Sequence, residues 1–148
     1  MTKLPILSEH SEQAEFVTRV KLEYRNDETF IPALFYSVVN GFWAAGSGPR
    51  KFALLAKYKA EGMNPGVSDC HYDQPRGGYN KLVIEMKRSD KRNAKDQGLR
   101  LEQIEYLDAA RSVGAFVRVC FCAEEATEAF NEYMRMRPGS WGVFKTGL

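Results

Sequence analysis

Residues 66–87 read GVSDCHYDQPRGGYNKLVIEMK, and that stretch predicts a β-hairpin. Gly66–Tyr72 and Tyr79–Lys87 are the strands, and Pro75-Arg76-Gly77-Gly78 between them is the turn. Side chains alternate faces along a strand, so Leu82, Ile84 and Met86 share one face of the second strand. Lys81, Val83, Glu85 and Lys87 share the other. Glu85 and Lys87 then stand about 6–7 Å apart, and the hairpin folds Asp69 back toward Glu85.

Upstream, residues 8–25 carry Phe16, Val17, Val20 and Tyr24 at helical spacing, with Ser8 and Ser11 as start signals and Glu9 and Glu12 in the first turn. Pro32 introduces a strand from Ala33 to Val39 that ends in an Asn40-Gly41 turn. After a loop over 42–48, a helix runs from Pro49 to Glu61 with Phe52, Leu55, Ala56 and Tyr58 as its apolar positions, and Gly62 ends it. Downstream of the hairpin, residues 88–98 are a polar, basic loop. A helix from Leu99 to Val113 ends at Gly114, a strand spans Ala115 to Cys122, and a helix spans Glu124 to Met136. Pro138 to Leu148 take no assignment. Three antiparallel strands followed by a helical crossover to a fourth make a mixed α/β sandwich, with a right-handed crossover.

A chain of 148 residues fits one domain, spanning 1–148, and is long enough to fold without disulfides. Charged residues are 27% of the chain and its net charge is only +2, so bulk charge does not by itself point to nucleic acid. Cys70, Cys120 and Cys122 have no second Cys or His pair at zinc spacing and read as small core residues of a cytosolic protein. The first residues hold no signal-like apolar run, and no stretch approaches a membrane span, so the expected setting is intracellular, with no membrane partner.

Two carboxylates converging at a sheet end, Asp69 and Glu85, suit a hard divalent cation, which takes one or two carboxylates beside water and phosphate oxygens. Such an ion polarises a phosphoryl oxygen and acidifies a bound water. A neighbouring lysine, Lys87, offsets charge developing on the phosphate. Taken alone, though, Glu-x-Lys on a strand is common. The bland alternative is an exposed, mutually screened pair, with Asp69 a plain turn residue.

Longer strings narrow the choice. Asn64-Pro65-Gly66-Val67-Ser68-Asp69, Arg76-Gly77-Gly78-Tyr79 and Leu82-Val83-Ile84-Glu85-Met86-Lys87 resemble the virus-type replication-repair nuclease (VRR-NUC) family of the PD-(D/E)XK nuclease superfamily. Upstream, Ser8-Glu9-His10-Ser11-Glu12-Gln13, Asn40-Gly41 and Lys59-Ala60-Glu61-Gly62 match in order, as do Glu102-Gln103 and Val113-Gly114 downstream. One departure is Ser68, where the family usually has proline. The resemblance covers roughly residues 8–135. It implies a restriction-endonuclease-like mixed sheet flanked by helices and a metal-dependent DNA endonuclease. Asp69 and Glu85 would bind Mg²⁺ or Mn²⁺, Lys87 would be the catalytic lysine, Glu12 would add a carboxylate from the first helix, and Gln103 would support the site. Glu9 competes with Glu12, which is preferred because Gln13 follows it. Branched DNA such as four-way junctions and a homodimer are the substrate and assembly so implied; the compact single domain, and not the resemblance, suggests a bacterial or phage cell.

Independently of the family, Gln103 falls on the stripe of Leu107 and Ala110, where a buried amide needs a partner. His71 reads as structural. Arg88, Lys91, Arg92 and Lys95 are either a solvated loop or a grip on backbone phosphates, and Arg50, Lys51, Lys57 and Lys59 form a second candidate row. Phe42 and Trp43 either stack on a base or pack; Trp141 and Phe144 cover a core edge or join an interface. Two rival readings stay open: a non-catalytic module holding DNA or a replication partner on the same fold, and a metal-dependent hydrolase of another substrate.

Overall fold

Four strands form one mixed sheet in the computed structural model, which describes residues 5–38 and 48–139. Their spatial order is β1 (Phe35–Ser37), β2 (Cys70–Tyr72), β3 (Lys81–Met86) and β4 (Ala115–Cys120). The first three are antiparallel neighbours, and β4 lies parallel to β3. Parallel strands cannot be joined by a tight turn, so the chain crosses over through α3 (Leu101–Ser112). The meander and its crossover strand are as the hydrophobic pattern predicts.

The alternation along β3 divides the molecule into two layers. Leu82, Ile84 and Met86 enter a core with Phe16 and Val20 of α1 (Glu9–Glu23) and with Phe130 and Tyr133 of α4 (Ala123–Met134). Val83 faces the opposite way, against Leu107 and Ala110 of α3 and against Ala115 and Val117. Glu85 shares the Val83 face, which therefore carries the acid into the smaller layer, under α3. Ser8 caps α1 by accepting the Ser11 N–H at 3.1 Å, as its position before Glu9 predicts.

Several expectations are corrected. Residues 33 and 34 are not strand: Pro32–Leu34 form a 3₁₀ turn, favoured by the fixed φ of Pro32 at its start. The expected strand from Gly66 begins only at Cys70, because Gly66 sits at φ +94°, outside extended geometry. The second hairpin strand starts at Lys81, since Tyr79 belongs to the turn. Its N–H reaches Arg76 O at 2.9 Å across Gly77 and Gly78, at φ 57° and 87°, the positive pair a two-residue hairpin demands. α2 spans Pro49–Ala60, yet its half-buried stripe is Lys51, Leu54, Leu55 and Tyr58. Phe52 lies one residue off that stripe and is 73% exposed, not packed. Cys70 and Cys120 are buried thiols as expected, whereas Cys122 is only half-buried.

Arg76, read in the sequence only as a turn residue, has a role that the pattern does not show. Here it is buried. Its Nη1 donates to Met134 O at 2.7 Å and Met136 O at 3.1 Å, closing the last carbonyls of α4. Nη2 donates to Thr29 O and Thr29 Oγ1, both at 2.9 Å, and Nε to Gln74 Oε1 at 3.0 Å. The expected Asn40-Gly41 turn, Phe42, Trp43, Trp141 and Phe144 lie outside the described residues. Among the described residues no helix is long and apolar enough to cross a membrane.

Candidate active site

Strand register brings the two acids together. Cys70 pairs with Ile84, so one residue back along β2 and one forward along β3 Asp69 stands opposite Glu85. Asp69 Oδ2 accepts the Met86 N–H at 2.8 Å, taking over as acceptor where β2 stops, and its own carbonyl accepts the Val38 N–H at 2.9 Å. The loop before it is seated by Gly66: a Cβ there would lie 2.4 Å from the Glu102 carbonyl oxygen, so only glycine lets the loop lie against the first turn of α3. That same turn carries Gln103.

Glu85 has no solvent exposure, and Lys87 is nearly as buried. The bland reading of a solvated pair is therefore overturned. Lys87 Nζ lies 3.0 Å from Glu85 Oε1, and Gln103 Nε2 donates to the same oxygen. Gln103 is itself oriented, because its Oε1 accepts the Arg100 N–H at 3.0 Å and so turns the NH₂ toward Glu85. Burial pushes the Glu85 carboxyl up to about 7; the Asp69 charge pushes the same way and Lys87 pulls against both. Glu85 Oε2 is buried without a hydrogen-bond partner. The Ser68 hydroxyl is close enough to favour the Glu85 charge, but makes no hydrogen bond of acceptable geometry. A buried carboxylate oxygen with spare acceptor capacity, facing a second carboxylate, is the donor set a hard divalent cation takes.

The other candidates divide. Glu12 turns to the N-terminus of α4, where its Oε2 accepts the Ala123 N–H at 2.7 Å. Glu9 instead reaches the end of the β3 strand, accepting the Arg88 N–H at 3.2 Å. Among the described residues no group of three His, Cys, Asp or Glu side chains is placed to hold a metal ion, so the expected third carboxylate does not join Asp69 and Glu85. In the basic segment, Arg88 is held by Asp90 at 2.8 and 3.0 Å. Arg92 pairs with Glu125 and lies 4.7 Å over the Phe121 ring. Lys91 and Lys95 are exposed, and Arg50 and Lys57 are exposed on α2, Lys57 within 3.8 Å of Glu61, with Lys51 half-buried beside them. His71 is buried, with Nε2 3.0 Å from Ser68 O and its ring stacked on Tyr36, which suits the structural role expected of it.

Against known proteins, one solved structure, described as a "VRR_NUC domain protein", matches over 90% of this chain and 93% of that chain, with a TM-score of 0.66 at 20% identity. The chain has the VRR_NUC domain fold. No protein-family model and no curated protein matches it. The shared fold agrees with the restriction-endonuclease-like sheet that the sequence resemblance implies, and it spans nearly the whole of both chains. Two features were missed by the sequence reading. Arg100 orients Gln103 through its backbone N–H, which no side-chain motif records. Ser68, noted only as a replacement for proline, is buried at the site.

Proposed function

We propose that the protein is a metal-dependent DNA endonuclease that hydrolyses phosphodiester bonds. The observation that carries this reading is the buried cluster of Glu85, Lys87 and Gln103, with Asp69 across the strand pair and Glu85 Oε2 still able to accept. Stability alone gives little reason to bury a carboxylate and an ammonium on a small domain. Asp69 and Glu85 would hold Mg²⁺ or Mn²⁺, which supplies charge to polarise the phosphoryl oxygen and acidity to the attacking water. Lys87 orients that water and offsets negative charge on the phosphate, while Gln103 holds Glu85 by Oε1 and leaves Oε2 able to accept. Hydrolysis forms a bond from water oxygen to phosphorus and breaks the bond to the leaving sugar oxygen, which departs as an alcohol on taking a proton.

Glu12 belongs to the α1–α4 contact in this reading rather than to the cation. Lys91 and Lys95, with Arg50, Lys51 and Lys57, are the cations assigned to backbone phosphates, whereas Arg88 and Arg92 must first leave their acids to serve, as Lys57 must leave Glu61. Branched DNA such as a four-way junction and a homodimer presenting two sites for paired cuts complete the proposal. The test is incubation with duplex, flap and four-way-junction DNA in Mg²⁺, Mn²⁺ and chelator, beside Asp69→Ala and Lys87→Ala. Metal-dependent cleavage absent from both variants, with DNA binding kept in Lys87→Ala, is expected. Cleavage at the normal rate by Lys87→Ala overturns the assignment, and binding without cleavage under any condition replaces it with a non-catalytic DNA-binding module.

A further inference from the structure

Tyr36 is the one large aromatic of β1 that does not enter the core; Phe35, its neighbour, does. It pairs in register with His71, which pairs with Val83, so its side chain shares the sheet face of Asp69 and Glu85. Asp69 lies two residues from His71 on the adjoining strand, a diagonal separation of roughly 7–8 Å from Tyr36. A single exposed ring is ordinary on a protein surface. This one is held at both ends. Its plane lies 9° from that of the His71 ring with centroids 5.3 Å apart, and its hydroxyl donates to Asp73 Oδ2 at 2.9 Å. His71 is pinned in turn by Ser68 O and by the edge of Tyr106. The ring keeps 42% of its residue surface in solvent.

We propose that Tyr36 is a stacking platform for a nucleobase beside the scissile phosphodiester, and that the preferred DNA carries an unpaired nucleotide at that place. The inference rests on the nuclease reading above and adds a substrate feature to it. A ring fixed before the ligand arrives loses little rotamer freedom on binding, which favours affinity. Bases within a continuous duplex have both faces stacked already, whereas an unpaired base at a flap, gap or branch point can offer one. The platform therefore discriminates by the structure of the DNA and not by its sequence, since every base has a face to stack.

The test uses single-stranded, flap and duplex oligonucleotides bearing 5-iodouracil at successive positions around the cleavage point. They are irradiated with Lys87→Ala protein to keep them whole, and the attachment site is mapped by mass spectrometry. Cross-linking to Tyr36 from one unpaired position, and none from the duplex, is expected. Tyr36→Phe in the same background keeps the cross-link and Tyr36→Leu loses it, both with unchanged melting behaviour. In otherwise native protein, Tyr36→Leu raises KM for the flap substrate roughly tenfold, the scale of one lost stacked base, with kcat little changed, and Tyr36→Phe does not. DNA bound without a cross-link to Tyr36, or equal kinetics for the Leu and Phe variants, overturns the platform. If the native protein cuts nothing, the nuclease reading falls, and the cross-link still decides whether Tyr36 stacks.

Discussion

Replacing Arg76 tests how the fold is held at the hairpin. Its five N–H donors all go to neutral oxygens: one on Gln74, two on Thr29 and the carbonyls of Met134 and Met136. The guanidinium thus joins the α1–β1 loop, the β2–β3 hairpin and the end of α4. Arg76→Ala takes a donor from all five acceptors; Gln74 Oε1 keeps the Tyr72 hydroxyl and Thr29 Oγ1 its bond to Asp27, while the three backbone carbonyls cost about 1–3 kcal/mol each if they stay dry. The sum overstates the loss, because water entering the vacated space re-satisfies some of them and the cost of burying a cation disappears. The expected destabilisation is about 3–5 kcal/mol, a third or more of the stability usual for a domain. Arg76→Met fills much of the volume without donors, so its difference from Ala isolates packing; Arg76→Lys keeps charge but lacks the planar fork, and recovers only part of the loss. Equilibrium unfolding in urea, with equal slopes required of all variants, supplies the numbers. A loss below about 1 kcal/mol for Arg76→Ala with an unchanged slope would refute the clamp.

Three further outcomes follow from the site. With chelator present, the folded protein resists ionising Glu85 until about 7, against an ordinary value of 4.5, so stability from this group is complete below 4.5 and is lost as pH rises through 7. The wild type should therefore lose roughly 3 kcal/mol over that window relative to Glu85→Gln, measured as unfolding free energy at stepped pH; no difference in slope between the two proteins rejects the buried-charge account. Gly66→Ala places a methyl 2.4 Å from Glu102 O at a φ of +94°, and should lower the melting temperature and separate the Asp69 loop from α3, cutting activity at least tenfold. Wild-type stability and cleavage in that variant would show that the close approach does not matter. Glu12→Ala should cost about 1 kcal/mol as a lost helix cap, while Glu12→Gln keeps an acceptor for Ala123 N–H and cleaves within a few-fold of wild type. A stable Glu12→Gln protein with a 100-fold loss of cleavage returns Glu12 to the cation site.

Legibility in the sequence depended on whether a residue's role was local. The alternation in β3 told which side chains share a face, and so brought Glu85 and Lys87 together before any coordinates. The polar Gln103 on the Leu107–Ala110 stripe announced a buried partner, and Glu85 is that partner. Arg76 was unreadable because all its acceptors except Gln74 lie 47 to 60 residues away in the chain, and no turn motif carries that information. The choice between Glu9 and Glu12 turns on contacts of the same distant kind. Both are first-turn acids one helical turn apart, and what separates them is the position of Arg88 and Ala123, which are set by the packing of β3 and α4. The sequence leaves Arg88 and Arg92 as either a solvated loop or a phosphate grip; Asp90 is near in the chain and signals the pairing of the first, but Glu125 is too distant to signal that of the second.

The two ends of β3 are built on opposite principles. At the hairpin end every Arg76 donor is used, and Tyr133 OH donates to Gln74 O at 2.7 Å beside it, leaving the turn pinned from several sides. At the other end Glu85 Oε2 and Ser68 Oγ are buried and unsatisfied, two anionic or nearly anionic centres face one another, and one carboxyl is held far above its ordinary range. Selection for stability alone would replace such a pair with apolar residues, which commonly cost nothing or stabilise. The surrounding structure does the reverse: Gly66 supplies a positive-φ backbone without a Cβ to seat the loop, and Gln103 orients Glu85 instead of packing. Glu85→Leu with Lys87→Met should then yield a more stable protein that binds no Mn²⁺. If that double variant is less stable than the metal-free parent, the cluster is a structural ion pair and the argument for a site loses its energetic basis.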